Sequence, residues 1–161
     1  MLVLTSLTSR NGGIDAIDAQ ILKALFDNAR ITTAELARRV GLSSPSTGER
    51  IKRLEEAGVI GGYTIVVDPK RLGLPLPICL RIRPVPGQMK NVAKLLDDLP
   101  EIVDCDRVSG DDCFIARAHL QSVQHMEKLI DKLTPISMTN TSLVQSSPIR
   151  PRLPHFDTVE K

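Results

Sequence analysis

Hydrophobic positions along the chain change period in a definite order. Ile17, Ile21 and Leu25 recur at helical spacing after Asp15, a good N-cap with Asp18 three residues on, so a first helix is expected up to Asn28. Leu36, Ala37 and Val40 then form a narrow apolar stripe, with Glu35, Arg38 and Arg39 turned to water. Gly41 supplies a position where positive φ costs nothing, and Leu42 can plug the angle between two helices. Ser43 or Ser44 can cap the next helix, Pro45 suits its first turn, Ile51 and Leu54 form its inner face, and Gly58 ends it. Two short helices across a glycine turn, supported by a third, are a helix-turn-helix pattern.

Beyond Gly61 and Gly62 the period falls to two. Tyr63, Ile65 and Val67 alternate with Thr64 and Val66 as in a strand, either a wing against DNA or a linker that pairs with a second chain, and a hinge follows through Gly73. Leu76, Ile78, Leu80 and Ile82 alternate with Cys79, Arg81 and Arg83 as a half-buried strand. Met89, Val92, Leu96 and Leu99 give a helix face. Residues 102–108 and 113–120 read as two strands joined by the turn 109–112. Val123, Met126, Ile130 and Leu133 form a second helix stripe, stopped by Pro135, and 138–145 reads as the last strand.

The order βαββαβ is the ferredoxin-like arrangement, two helices on one face of an antiparallel sheet. The α+β chain therefore divides into a leader at 1–13, which could touch DNA, a winged-type helix-turn-helix domain at 14–60 and a strand linker at 61–73. A ligand-binding and oligomerisation domain at 74–148 and a tail at 149–161 complete it. Arg81, Arg117 and His119 alternate onto the sheet face away from the helices, which must meet solvent, a ligand or another copy of the chain. Self-association is the favoured reading, because a two-fold partner adds register and affinity to a reader of DNA.

In a helix-turn-helix the N-terminal part of the second helix points at base edges in the major groove. Ser43, Ser44, Ser46, Thr47, Glu49 and Arg50 occupy those positions here, with Arg50 able to fork onto a guanine. Arg38, Arg39, Lys52 and Arg53 can meet phosphates. Gly48, unfavourable inside a helix, would let the backbone approach the duplex.

Composition narrows the choice. With 161 residues, 42% hydrophobic and 25% charged, the chain has the balance of a soluble globular protein. The net charge is only +2, and the excess lies before Gly73, where 10 basic residues face 8 acidic ones against 11 of each afterwards. Affinity for nucleic acid must therefore come from arrangement rather than bulk charge. No tryptophan, one tyrosine and three phenylalanines leave almost no stacking platforms, which argues against single-strand readers.

No window is long or apolar enough for a membrane span or a signal segment, so a cytosolic location is expected. Cys79, Cys105 and Cys113 match no zinc spacing and read as buried small hydrophobes. A thiol enzyme using Cys113 and His119 is disfavoured, since six residues of strand separate them by about 20 Å at ~3.3 Å each. No catalytic, metal or cofactor site is expected.

The stretches IDAIDAQILKAL, ELARRVGLSSPSTGERIKRLEEAGVIGGYTIVVDPKRLG and SGDDCFIARAHL with TNTSLV together resemble the Lrp/AsnC family, the leucine-responsive or feast/famine transcription regulators. The likeness runs from Ile14 to about Pro148. It implies an ACT-like (RAM) second domain, dimers that build octamers around which DNA wraps, and an amino-acid effector bound between dimers near Gly110 and Asp111. Free backbone N–H groups around Ser109 and Gly110 suit a carboxylate, Asp111 or Asp112 suits an ammonium, and Thr139 and Thr141 could add hydroxyls. Cys113 stands where the family pattern has an acidic residue, which keeps open a second reading, an effector-blind architectural DNA-binding protein.

Overall fold

The computed structural model describes residues 13–159, so the expected leader lies outside the described residues except for Gly13. The chain folds into two units. Among the described residues, one holds 13–65 together with 150–159; the other is Val66–Ile149.

The first unit contains helices α1 (Ala16–Asp27), α2 (Thr33–Val40) and α3 (Ser44–Glu56). Local chemistry fixes each start. Asp15 and Asp18 form a reciprocal capping box at α1. The Thr32 hydroxyl accepts the Glu35 N–H at α2, and Ser43 accepts the Ser46 N–H at α3. Gly41 closes α2 at φ 70°, a value that favours glycine, and sets the turn into α3. Ile21, Leu22, Leu36 and Leu54 form the buried core.

Around that core pack Ile14, Ile17, Leu25, Ile51 and Ile60, and also Leu153 and Phe156 from the far end of the chain. The Val159 N–H donates to the Ile14 carbonyl at 2.9 Å. The segment beyond residue 149, expected as a mere tail, is thus part of the helical unit. Its two apolar side chains had no period to betray them.

In the second unit, strands β1 (Leu76–Pro84), β2 (Ile102–Arg107), β3 (Phe114–Leu120) and β4 (Ser137–Leu143) form one antiparallel sheet in the order β2-β3-β1-β4. Helices α4 (Met89–Asp98) and α5 (Val123–Leu133) cover one face. The alternation puts Ile78, Leu80 and Ile82 of β1 and Phe114, Ala116, Ala118 and Leu120 of β3 beneath them. Val92, Leu96, Leu129 and Leu133 meet that layer, and the small Ala116 and Ala118 leave room for their bulk.

Two expectations meet a different picture within the single chain. The alternating stretch 63–67 joins no ladder among the described residues, and Val66 is fully exposed, so a strand there finds no partner edge within this chain. The cysteines are not buried: Cys105 is exposed on edge strand β2, and Cys79 and Cys113 are half-buried.

Candidate nucleic-acid interface and effector site

Capping and inward packing decide which side chains of α3 remain available. Ser43, Ser44, Pro45, Ser46, Glu49, Lys52 and Arg53 are exposed. Thr47 is fully buried, and its hydroxyl donates to the Ser43 carbonyl at 3.0 Å, so it braces the first turn rather than facing outward. Gly48 faces α2, where an added Cβ would lie 3.9 Å from the Thr33 methyl. That is an ordinary van der Waals separation, so packing against α2 does not by itself require glycine here.

Arg50 also departs from the expected reading. Its Nη1 donates to Asp15 Oδ2 and to Asp18 Oδ1, each at 2.8 Å, and its side chain is only 21% exposed. Arg53, one turn on, donates from Nη2 to Asp18 Oδ2 yet keeps half its side chain in the open. Two carboxylates of α1's cap and two arginines of α3 thereby form a charge cluster, and the hydrogen bonds that Arg50 donates to Asp15 and Asp18 raise its pKa. The sequence showed the Asp15 and Asp18 pair as a cap, but nothing in it revealed partners more than thirty residues away. Beside the cluster is a polar recess of about 240 Å³ lined by Ser46, Glu49, Arg50 and Arg53.

On α2, Arg38 and Arg39 both bond Glu35, Arg39 at 3.2 Å, and their hydrogen bonds hold the Glu35 carboxyl below its ordinary range. These contacts are solvent-exposed and weak, so both arginines stay available for phosphate.

In the sheet unit, the Val108 N–H donates to the Cys113 carbonyl at 2.9 Å, closing the turn that carries Ser109, Gly110, Asp111 and Asp112. Gly110 adopts φ 112°. Arg83 of β1 reaches over: its Nε donates to the Asp111 carbonyl at 3.0 Å, and its Nη2 is 3.3 Å from Asp111 Oδ2 and 3.9 Å from Asp112 Oδ1. Arg81 lies 3.9 Å from Asp112 Oδ2. The two acidic side chains expected to receive an ammonium are already met by guanidinium groups.

Thr139 and Thr141 do not join them. They pair across the ladder with Ile82 and Leu80, so they lie on the helix-covered face, opposite Arg81 and Arg83. The Thr141 hydroxyl is buried without a hydrogen-bond partner among the described residues. Met138, Asn140 and Ser142 share the open face with the arginines instead. A separate open groove of about 380 Å³ runs between α4 and β2, lined by residues including Leu96, Ile102, Cys105 and Phe114. Partial desolvation beside the groove, then Asp106 and Asp104, pushes the Cys105 thiol up, away from nucleophile chemistry, although the residue as a whole is exposed.

Among the described residues no group of His, Cys, Asp and Glu is gathered as a metal site, and no helix is long and apolar enough to cross a membrane.

Comparison with known proteins assigns both units. A winged helix-turn-helix DNA-binding model matches residues 14–60, and an Lrp/AsnC ligand binding domain model matches residues 78–154. The HTH-type transcriptional regulator LrpC of Bacillus subtilis is 32% identical over 133 residues, covering 83% of this chain and 92% of that protein. The solved structure of B. subtilis LrpC superposes with a TM-score of 0.82 at 31% identity, covering 86% of this chain and 99% of that one. A feast or famine regulatory protein from M. tuberculosis, complexed with L-methionine, gives a TM-score of 0.79 at 27% identity, covering 86% and 97%.

Proposed function

Because this chain belongs to the Lrp/AsnC family, as a DNA-binding transcriptional regulator with a ligand-binding domain, we propose that α3 reads a defined operator and that an amino acid bound to the sheet unit adjusts that reading. The observation that carries it is the division of α3 into two sides. Thr47, Arg50, Ile51 and Leu54 are turned inward, while Ser44, Ser46, Glu49, Lys52 and Arg53 form an open stripe.

On this reading Ser44, Ser46 and Glu49 address base edges, hydroxyls to either base and the carboxylate to a cytosine amine. Lys52 and Arg53, with Arg38 and Arg39 of α2, take phosphates. The effector is an α-amino acid at the 109–112 turn: Asp111, 90% exposed at its side chain, receives the ammonium, and Arg83 receives the carboxylate in place of Asp111. The methionine complex of the M. tuberculosis relative supports this ligand class. The open sheet face with Cys79, Arg81, Arg117 and His119 meets a second copy of the chain.

A thermal-shift series over the proteinogenic amino acids tests the proposal. A ligand present at about 100 times its dissociation constant adds roughly 2.7 kcal/mol to the folded form. A selective hit that vanishes in Asp111→Ala, with DNA binding altered in the parent, supports the effector site; a hit that persists in Asp111→Ala refutes this placement of it. The architectural, effector-blind reading has one observation in its favour, since Arg83 and Arg81 already neutralise the turn. It is the outcome if no amino acid shifts either stability or DNA affinity.

A further inference from the structure

Arg53 is the most open member of the charge cluster, with half its side chain exposed against 21% for Arg50. Asp18, at the third position of α1, is completely buried, and its oxygens accept the Asp15 N–H at 3.2 Å, Arg50 Nη1 at 2.8 Å and Arg53 Nη2. A carboxylate so far from water needs partners of this kind on its lone pairs, which makes the arrangement stiff. Arg50 spends its contact inward on both aspartates. Arg53 commits one terminal nitrogen, and the remainder of its guanidinium lies on the exposed stripe with Ser46 and Glu49, beside the polar recess.

A guanidinium is a rigid plane with five N–H donors, so fixing one nitrogen fixes the direction of the others. A free arginine would have to give up rotamer freedom on meeting an anion, whereas this one is already ordered. The cluster of two aspartates and two arginines is formally neutral, so its contribution is orientation rather than attraction at a distance.

We propose that Asp18 is a positioning residue for DNA binding: it holds the Arg53 guanidinium so that its outward N–H groups receive a phosphate of the duplex backbone. Asp18 itself touches no DNA. The contact is sequence-independent, so it adds affinity and fixes the angle of α3 over the groove without choosing a base.

The experiment uses the full chain and a mixed-sequence double-stranded DNA, with affinity followed by fluorescence anisotropy across a salt series. Arg53→Gln is expected to lower affinity roughly tenfold and to reduce the salt slope by about 0.9, the signature of one lost phosphate contact. Asp18→Asn is expected to weaken binding several-fold when Arg53 is present and to have no further effect in the Arg53→Gln background. A purely structural role for Asp18 would give the same fold-change in both backgrounds, and that result overturns the proposal. Unchanged affinity and salt slope in Arg53→Gln overturn it as well. Should Asp18→Asn fail to fold, Arg53→Lys decides: it keeps the charge, so the slope is retained, but one ammonium cannot serve Asp18 and a phosphate in a fixed plane, so affinity falls several-fold. Parental affinity in Arg53→Lys contradicts the proposal.

Discussion

Replacing Arg50 by methionine separates two roles that the same arginine could have in a helix-turn-helix. Methionine keeps the length and removes the guanidinium, leaving Asp15 and Asp18 without the donor that lies 2.8 Å from each. A close ion pair at an effective dielectric of about 20 is worth ~4 kcal/mol before desolvation is counted. Removing one partner from a buried pair costs about 3–5 kcal/mol overall. Arg53 still neutralises Asp18, and Arg50 is itself one-fifth exposed, so a loss near the bottom of that range, about 3 kcal/mol, is expected. Against a domain stability of about 5–15 kcal/mol this is large but not unfolding. In urea the transition of the helical unit should move down by about 1–3 M. DNA binding measured on folded protein should keep its base preferences, because the outward stripe of α3 is unchanged. A direct guanine contact would behave in the opposite way, with stability retained and ~1–3 kcal/mol of discrimination lost at one base pair. That second pattern would refute the inward assignment of Arg50.

Other perturbations test neighbouring parts. Ser43→Ala removes the α3 cap and should cost ~1 kcal/mol, visible as a lower melting temperature. Phe156→Ala or Leu153→Ala should each destabilise the helical unit by roughly 1 kcal/mol, since both side chains are only partly buried on its core; an unchanged urea midpoint would show that the C-terminal segment does not brace it. Leu129→Ala in the sheet core should cost about 2–5 kcal/mol in the transition of that unit. At Glu101 burial favours protonation, but its own backbone N–H, the His125 ring and Lys132 prevail and hold the carboxyl below its ordinary 4.5. The stability this contributes is complete above that value and is lost as the pH falls through the folded-state pKa, so Glu101→Gln should show a shallower loss in urea midpoints taken from about pH 7 to about pH 3.5.

The parts of this fold that were legible in the sequence are those set by neighbours a few residues apart. The Asp15 and Asp18 box, Gly41 and the Ser43 cap with Pro45 declared the helical boundaries. The alternation of Ile78, Leu80 and Ile82 and of Ala116, Ala118 and Leu120 declared the buried sheet face. What stayed hidden depends on contacts distant in sequence. Arg50 reads equally well as a base reader until the two aspartates 32 and 35 residues earlier are folded against it. Thr139 and Thr141 look like neighbours of the acidic turn until the register with Ile82 and Leu80 assigns them to the other face. Arg83 meets Asp111 across 28 residues, and no period announces that pairing. Leu153 and Phe156 sit among prolines and charges, where neither helical nor strand spacing can mark them as core.

The most direct measurement of the central claim is the affinity of the full chain for a DNA sequence enriched from a random pool, set against bulk competitor DNA at moderate salt. It is made with and without an amino acid that stabilises the fold. The enriched sequence should bind at least about a thousandfold more tightly than competitor. The amino acid should change that affinity, with the DNA changing amino-acid affinity by the same factor. Equal affinity for enriched and competitor DNA, unmoved by any amino acid, would contradict it.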